Sequence, residues 1–398
     1  MDSANLHCSG KNCLGKTSIE DFLAHYWQKK PLLIKKAFVD MKSPISADEL
    51  AGLACEEQVS SRLVLAKDNK SNKNWQVEFG PFSESRFSDL PETDWSLLVS
   101  DVERHCPETQ TLLNFFRFIP DWRVDDLMIS YAPTGGSVGA HTDAYDVFLL
   151  QLSGQRLWKI SEHFSAETLS NTDLPILKEF DAEQEWLLEA GDMLYLPPNV
   201  AHHGVAQASV DKQGNIEDCM TASIGFRAPS LSTICNDYVH FISEHKQQDT
   251  RYRDTSTAIP AHHAEISEDT ISHFIDYLKQ GLLIDRDQVK QWLGQYSSDN
   301  KTFEELIVPE HDIEFDELSV MASQSTLTQS PYANFLFSHA EKSSFLFVNG
   351  VSYITSKPFA ELLCDNQPII FSQLKQTLTP DDKNTLLSLF NNGSLLIS

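Results

Sequence analysis

A histidine and an aspartate stand two positions apart after a glycine-rich loop, in the segment YAPTGGSVGAHTDAYDVFLL at 131–150. These residues are His141 and Asp143. In an extended strand, residues two positions apart project to the same face. An imidazole nitrogen and a carboxylate oxygen can therefore meet at one point, as a chelated metal ion requires. We predict that both side chains are metal ligands.

The segment EAGDMLYLPPNVAHHG at 189–204 offers a third ligand. Gly191 is followed after five residues by Pro197, and Pro197 after four residues by His202. Gly191 and Asp192 predict a tight turn into the strand MLYLP, which the paired prolines end. His203 competes with His202 for the ligand position. Because strand alternation lets only one of them point inward, the spacing favours His202.

Two histidines and one carboxylate leave three positions open on an octahedral metal ion. This arrangement is typical of non-haem Fe(II), which must bind a bidentate co-substrate and O2 together. Either pattern alone is weak evidence, because His-x-Asp occurs by chance in many chains. The alternative interpretation is that these histidines are ordinary hydrogen-bonded polar residues. Both patterns in the right order, on predicted strands, favour the metal centre.

The two patterns resemble the metal motifs of the cupin superfamily, and the His-x-Asp form is similar to its oxygenase branch. This resemblance implies 2-oxoglutarate as co-substrate, whose far carboxylate needs a cation. Arg156 lies fifteen residues beyond His141, the offset at which related oxygenases carry their basic residue. A guanidinium also binds a carboxylate with two hydrogen bonds. Lys159, or a plain surface role for the charge at 156, is the alternative.

Short strands are needed to position these groups. Five segments between about 125 and 229 favour strands and are separated by Gly, Pro and Asn turns: DDLMISYA, DVFLLQLS, RLWKIS, EWLLEAGDMLYLPP and CMTASIGFRAP. Several strands at such spacing indicate a sandwich or a barrel. Upstream, the segment 18–39 predicts a helix that begins after Ser18 and stops at Pro31, followed by a strand.

Helical periodicity returns after Pro229, in 231–245 and in 267–283. The last hundred residues differ again, with a hairpin turn at Asn349–Gly350, two short helices and a final strand. The chain is therefore predicted to be α+β with three parts. These are a catalytic barrel at 1–229, a helical region at 230–298 and a winged-helix-like domain at 299–398.

The charge balance is strongly acidic. Lys and Arg number 31 against 57 Asp and Glu, a net charge of −26. Such a surface repels phosphate backbones, so we expect no direct nucleic-acid binding, and it would steer a basic partner toward the protein. The alternative is that the charge only maintains solubility.

The seven cysteines are scattered and predict no zinc site, because Cys8 and Cys13 have no second pair at matching spacing. They are interpreted as structural or incidental thiols in a reducing compartment.

The start of the chain lacks a basic stretch followed by an apolar one, and no apolar run approaches the ~18 residues of a membrane helix. We therefore expect a cytoplasmic protein that does not contact membranes.

Residues 17–229 resemble the bacterial ribosomal oxygenases, which are JmjC-type enzymes that hydroxylate an arginine of the sixteenth large-subunit ribosomal protein. The segments that carry the resemblance are WQKKPLLIK, PDWRVDDLMIS, HTDAYDVFLLQ, GDMLYLPP and SIGFRAP. The resemblance implies a double-stranded β-helix (a cupin/JmjC jelly roll), a helical dimerisation region, a C-terminal winged helix and a homodimer. It also implies C3 hydroxylation of an arginyl side chain, coupled to oxidation of 2-oxoglutarate to succinate and CO2.

The strand DDLMIS places Asp126, Met128 and Ser130 on one face. Asp126 is a candidate anchor for a substrate guanidinium, and Tyr145 and Ser223 are candidate substrate contacts. Met128 is predicted to line the same pocket. For each of these, ordinary barrel packing is the alternative.

The chain departs from the family pattern at Ala132, where a hydroxyl residue is expected to help hold the co-substrate. Ser130, Thr134 or a water could take that part. Two further functions stay open. One is a JmjC oxygenase that hydroxylates another protein residue, such as histidine. The other is an inactive metal-binding interaction module.

Overall fold

The computed structural model describes residues 6–8, 10, 12–69, 72–170, 172, 174–210, 214–245, 251–253, 262, 264, 266–282, 284–299 and 306–398. The chain divides into two compact units, Met1–Ala228 and Pro229–Ser398. The predicted division into three parts, at 1–229, 230–298 and 299–398, stays a prediction.

The first unit contains short helices and an extensive set of strands. Its helices are α1 (Ile19–His25), α2 (Ala47–Leu53), α3 (Glu84–Ser88), α4 (Val102–His105) and α5 (Pro107–Leu113), followed by 3₁₀ turns at Asn114–Phe116 and Asp121–Arg123. Its strands are β1 (His7–Cys8), β2 (Leu32–Ile34), β3 (Phe38–Val39), β4 (Ser61–Asn69), β5 (Asn72–Phe79), β6 (Trp95–Val99), β7 (Val124–Ala132), β8 (Asp146–Ser153), β9 (Gln155–Ser161), β10 (Gln184–Glu189), β11 (Met193–Leu196), β12 (Ala201–Gln207) and β13 (Cys219–Phe226).

Two antiparallel sheets form the body of this unit. The larger has the order β2-β11-β8-β13-β7-β6-β4-β5, and the smaller has the order β10-β9-β12. One face of the large sheet packs on the N-terminal helices through residues such as Ile129, Phe148 and Ile224. The other face packs against the small sheet, with Leu149 and Leu194 touching residues that include Trp158, Ile160 and Leu188. Period-two alternation thus builds two apolar layers, and burial of each large side chain contributes roughly 1.5–3 kcal/mol.

The turns that begin these elements follow from local sequence. The Ser18 side chain accepts a hydrogen bond from the Asp21 N–H at 3.0 Å and caps α1, which confirms the predicted helix start. Gly191 has a φ of +87°, and a Cβ there would lie 2.4 Å from the Phe38 carbonyl oxygen. Only glycine fits this position. The turn into β11 is therefore confirmed.

The second unit combines helices with two small antiparallel sheets, ordered β15-β16-β17 and β18-β14-β19. Its helices are α6 (Leu231–Glu244), α7 (Glu268–Gly281), α8 (Arg286–Ser298), α9 (Phe315–Met321), α10 (Lys357–Cys364), α11 (Phe371–Leu374) and α12 (Pro380–Asn391). Its strands are β14 (Thr326–Gln329), β15 (Phe335–His339), β16 (Ser344–Val348), β17 (Val351–Thr355), β18 (Ile369–Ile370) and β19 (Leu395–Ile397). Asn349 and Gly350 both have positive φ and join β16 to β17, which confirms the predicted hairpin.

The predicted helices at 231–245 and 267–283 correspond to α6 and α7. Part of the polar segment between them lies outside the described residues. None of the helices in the described ranges is long and apolar enough to cross a membrane.

Candidate metal centre

A reciprocal backbone bridge places two histidines side by side. His141 lies in the loop before β8, and His202 lies on β12. The His141 N–H donates to the His202 carbonyl at 3.0 Å, and the His202 N–H donates to the His141 carbonyl at 2.9 Å. Their ring centroids are 4.2 Å apart. Because opposed residues of an antiparallel pair share a face, both rings are directed to the same side.

Asp143 completes the cluster. Its carboxylate oxygens lie 4.0 Å from His141 Nε2 and 3.5 Å from His202 Nε2. One potential ligand atom from each of the three residues lies within 4.8 Å of the others. The backbone oxygen of Asp143 accepts a hydrogen bond from the Asn199 N–H at 2.8 Å. This bond ties the loop that carries the carboxylate to the segment that leads into β12.

Both imidazoles are oriented by their Nδ1 atoms. His141 Nδ1 lies 3.1 Å from the Gly139 carbonyl oxygen, and His202 Nδ1 lies 3.0 Å from the Val200 carbonyl oxygen. Since a carbonyl can only accept, each Nδ1 carries a proton, which leaves each Nε2 as the ring atom that can bind a metal. Burial, followed by the nearby His141, lowers the pKa of His202, so its ring is neutral at pH 7.

This donor set fits the predicted metal. Two imidazole nitrogens and one carboxylate oxygen converge from one side, which is the facial arrangement that suits non-haem Fe(II). His203, the competing residue, follows His202 on β12 and therefore projects from the opposite face of the strand. Its ring packs edge-on against Phe180, with centroids 6.1 Å apart.

Arg156 is a buried cation on the inner face of β9. The residue is 4% exposed, and among the described residues its guanidinium has no carboxylate within ion-pair distance. Its Nε donates to Cys219 Sγ at 3.3 Å, whereas its Nη2 is buried without a hydrogen-bond partner in the described part of the chain. A buried, unneutralised guanidinium is costly unless an anion binds it. The residues present therefore fit a dicarboxylate co-substrate.

A second buried donor lies beside it. Trp158 is 6% exposed, and its Nε1 also lacks a hydrogen-bond partner among the described residues. The Trp158 ring lies close to both Arg156 and His202. Its centroid is 5.7 Å from the Arg156 Cζ and 5.8 Å from the His202 ring centroid. Gly204 faces this ring across the strand pair, and a Cβ there would come within 2.7 Å of it. The space between Arg156 and the histidines is thus lined by an unsatisfied N–H.

Lys159, the alternative to Arg156, is placed differently. Its Nζ forms an ion pair with Glu185 at 2.9 Å, and its side chain is 35% exposed. Alternation along β9 puts it on the face opposite Arg156 and Trp158. Lys159 is therefore a surface charge with a partner of its own.

Comparison with known proteins shows to which family this chain belongs. Residues 111–234 match the model of the JmjC domain, and residues 278–396 match the ROXA-like winged helix. The chain is 36% identical over 299 residues to the ribosomal protein uL16 3-hydroxylase of Escherichia coli strain K12, and the match covers 75% of this chain and 76% of that protein. The chain belongs to the JmjC-type ribosomal oxygenases.

Solved structures resemble this ribosomal oxygenase over most of its length. The X-ray structure of E. coli YcfD has a TM-score of 0.84 at 31% identity and covers 96% of this chain and 99% of that one. YcfD in complex with cobalt and 2-oxoglutarate has a TM-score of 0.79 at 31% identity over the same 96%, and over 99% of its own chain. The predicted JmjC jelly roll and C-terminal winged helix are confirmed.

Among the candidate substrate residues of the ribosomal oxygenase, Asp126, Met128 and Ser223 lie on the inner face of the large sheet, and Tyr145 directly precedes β8. Asp126 and Met128 are half-buried on β7, and Ser223 lies directly opposite Met128 on β13. A Cβ at Gly225 would lie 3.2 Å from Asp126 Oδ1 and 3.8 Å from the Tyr145 ring, so these two side chains border one spot.

The pKa values of both side chains at this spot are raised. Burial, followed by the charges of Asp101 and Asp125, raises the pKa of Asp126 to about 7. Burial and then the charges of Asp143 and Asp126 raise the pKa of Tyr145. The negative charges of Asp143, in the metal cluster, and of Asp126, the candidate substrate anchor, therefore both act on Tyr145. Its phenol stays protonated.

The predicted co-substrate contact of Ser130 stays a prediction. Its hydroxyl is buried and lies 3.4 Å from the Thr221 carbonyl oxygen, to which it donates. Ala132 is fully buried against Ala206 and Cys219, so the position that lacks a hydroxyl is filled by apolar contact.

Sequence reasoning missed three buried residues of this interior, namely Gln151, Trp158 and Cys219. Trp158 carried a signal, since it lies two positions after Arg156 and so shares its face. Gln151 and Cys219 carried none, because Cys219 meets Arg156 only where the large sheet packs on the small one, and Gln151 meets Cys219 only through the pairing of β8 with β13.

Proposed function

We propose that this protein is an Fe(II)- and 2-oxoglutarate-dependent oxygenase that hydroxylates C3 of an arginyl side chain in ribosomal protein uL16. The observation that carries the proposal is the convergence of His141, Asp143 and His202 in a barrel that also buries an unneutralised Arg156. The name of the E. coli relative, a ribosomal protein uL16 3-hydroxylase, supports the substrate. The complex of YcfD with cobalt and 2-oxoglutarate supports the co-substrate.

The roles divide among the residues of the barrel. His141, Asp143 and His202 would hold Fe(II), and Arg156 would bind the far carboxylate of 2-oxoglutarate. When bound, Fe(II) with O2 couples oxidation of 2-oxoglutarate to succinate and CO2 with hydroxylation of the substrate carbon. The chain's own part is to orient these groups, because the Nδ1 hydrogen bonds fix both imidazoles and the apolar layer around Trp158 excludes water.

Mass spectrometry of uL16 tests the function. Incubation with the enzyme, Fe(II) and 2-oxoglutarate in air is expected to add one oxygen atom to an arginine, and fragmentation locates it at C3. Omission of 2-oxoglutarate is the control and should leave uL16 unmodified. An oxygen found on histidine would instead support the alternative substrate class, and no modification of uL16 would refute the proposed substrate.

Asp126 is proposed to anchor the substrate guanidinium. A carboxylate that has lost its water shell binds an arginyl cation strongly, and removal of one partner of such a pair costs about 2–5 kcal/mol. Asp126 has lost part of its water shell, since it is half-buried and burial is the main cause of its raised pKa. Met128, Tyr145 and Ser223 would contact the stem of the same side chain.

Asp126→Asn is expected to lower kcat/KM for a uL16 peptide about 30-fold or more at pH 8. The wild-type value should rise as the pH rises through about 7, because the carboxyl group of Asp126, with its pKa raised to about 7, binds the cation only after it loses its proton. This rising limb should be absent in the variant. A wild-type limb that persists unchanged in Asp126→Asn would contradict the assignment.

The homodimer is proposed from α7. Among its described side chains none is buried, and four large apolar residues lie on the helix with 41–57% exposure: Ile271, Phe274, Ile275 and Leu278. They recur at helical spacing, so they form one apolar stripe that a second copy of the chain can cover.

Ile275→Glu combined with Leu278→Glu is expected to convert the dimer to a monomer in sedimentation analysis, because each glutamate would have to lose its water in the interface. Val320→Glu is the matched control, since Val320 is 75% exposed in the same unit but lies on α9. A double variant that still sediments as a dimer would exclude α7 as the interface.

Cytoplasmic location and the absence of direct nucleic-acid binding belong to the same proposal. A ribosomal protein substrate places the enzyme where ribosomal proteins are made. The net charge of −26 favours a basic protein partner and opposes binding to a phosphate backbone.

A further inference from the structure

Within the part of the chain that the structure describes, Arg156 is held by a sulfur atom and not by an acid. Its Nε donates to Cys219 Sγ at 3.3 Å, and Gln151 Nε2 donates to the same sulfur at 3.1 Å. Cys219 is 1% exposed and Gln151 is fully buried. Gln151 on the large sheet and Arg156 on the small sheet therefore both donate to one sulfur acceptor.

The side-chain amide of Gln151 is fixed by its other contacts. Its Nε2 also donates to the Ser153 carbonyl at 2.8 Å, and its Oε1 accepts from the Thr221 hydroxyl at 3.1 Å. Because a carbonyl cannot donate, the amide can take only this orientation. The chain Thr221–Gln151–Cys219–Arg156 is thus a directed hydrogen-bond network inside the barrel.

The chemistry of the acceptor matters here. A carboxylate in place of the thiol would hold the guanidinium more tightly but would neutralise it, and so would compete with an incoming dicarboxylate. The sulfur of a thiol group is a weaker acceptor than a carboxylate oxygen and carries no formal charge. It fixes the direction of the Nε–H bond and leaves the full positive charge available to a ligand.

We propose that Cys219 is a positioning residue for the co-substrate, acting through Arg156 with Gln151 behind it. The inference rests on the proposed function, since it assumes that Arg156 binds 2-oxoglutarate. Partners that orient the residues binding a ligand typically change affinity or activity by about 10- to 100-fold when removed. Among the described residues, Cys219 forms side-chain hydrogen bonds with Arg156 and Gln151, and neither of these is a metal ligand or is assigned to the substrate.

The test is calorimetric titration of metal-loaded protein without oxygen. Cys219→Ala is expected to weaken binding of 2-oxoglutarate about tenfold. Cys219→Ser keeps an acceptor and should restore most of the loss. Oxalate is the second probe, because it can chelate a metal but has no far carboxylate for Arg156, and its affinity should stay within about twofold of wild type in all variants.

Cys13→Ala is the matched control. Cys13 is also fully buried, but its Sγ donates to the Phe115 carbonyl at 3.4 Å in the apolar core on the helical side of the large sheet. It should lose stability without losing 2-oxoglutarate affinity. Normal 2-oxoglutarate binding by Cys219→Ala, or an equal loss of oxalate binding, would overturn the inference. If wild-type protein itself fails to bind 2-oxoglutarate, the proposed function fails.

Discussion

Replacing His141 with alanine is expected to abolish the visible absorbance that appears when 2-oxoglutarate is added to the Fe(II)-loaded protein without oxygen. Turnover should fall by at least about 1,000-fold, which corresponds to about 4 kcal/mol. The reason is that His202 Nε2 and an Asp143 oxygen cannot hold the metal facially without the third donor. The measurement is an anaerobic titration followed by absorbance, with succinate formation as the second readout.

The variant should remain folded, so that the loss can be assigned to the metal. The bridge between His141 and His202 is made by backbone atoms and survives truncation of the side chain. The His141 side chain is also 22% exposed, so little packing is lost. His203→Ala is the control and should keep the absorbance, because His203 projects from the other face of β12. A His141→Ala variant that retains both absorbance and turnover would refute the metal centre.

Much of the barrel could be predicted, because the local sequence pattern of each strand is enough to identify it. Alternating side chains and Gly, Pro and Asn turns predicted β7, β8 and β9 to within one residue, and β13 to within three. The metal cluster depends on spacings that are also local, namely two residues in one segment and eleven between Gly191 and His202 in the other. Local pattern is therefore enough to nominate its three side chains.

What could not be predicted depends on contacts between strands that are distant in sequence. Cys219 meets Arg156 across 63 positions of the chain, and Gln151 meets Cys219 across 68. Neither residue type suggests a role by itself. Strand β6 was missed for another reason, since all five of its residues are buried and no alternation of buried and exposed positions marks it as a strand.

Arg156→Met is expected to weaken 2-oxoglutarate binding about 100-fold while leaving metal binding intact. The guanidinium is a buried cation in this interior, and loss of one partner from a desolvated charge pair costs about 2–5 kcal/mol. Methionine keeps the length of the apolar stem. Lys159→Met is the matched control on the same strand, because Lys159 is paired with Glu185 at the surface and should leave the affinity unchanged.

The same variant separates a binding role from a structural one. Without ligand, wild-type protein bears the cost of burying Arg156 with one Nη unpartnered among the described residues. The uncharged methionine of the variant bears no such cost, so the melting temperature of Arg156→Met should be equal or higher.

Addition of 2-oxoglutarate should raise the melting temperature of wild type, since ligand binding to the native state stabilises it, and should raise that of the variant far less. Lower stability with undiminished 2-oxoglutarate affinity would mean that the guanidinium supports the fold and that another group binds the co-substrate. If Arg156→Met has a higher melting temperature and a lower affinity for 2-oxoglutarate, the guanidinium binds the co-substrate at a cost to the stability of the fold.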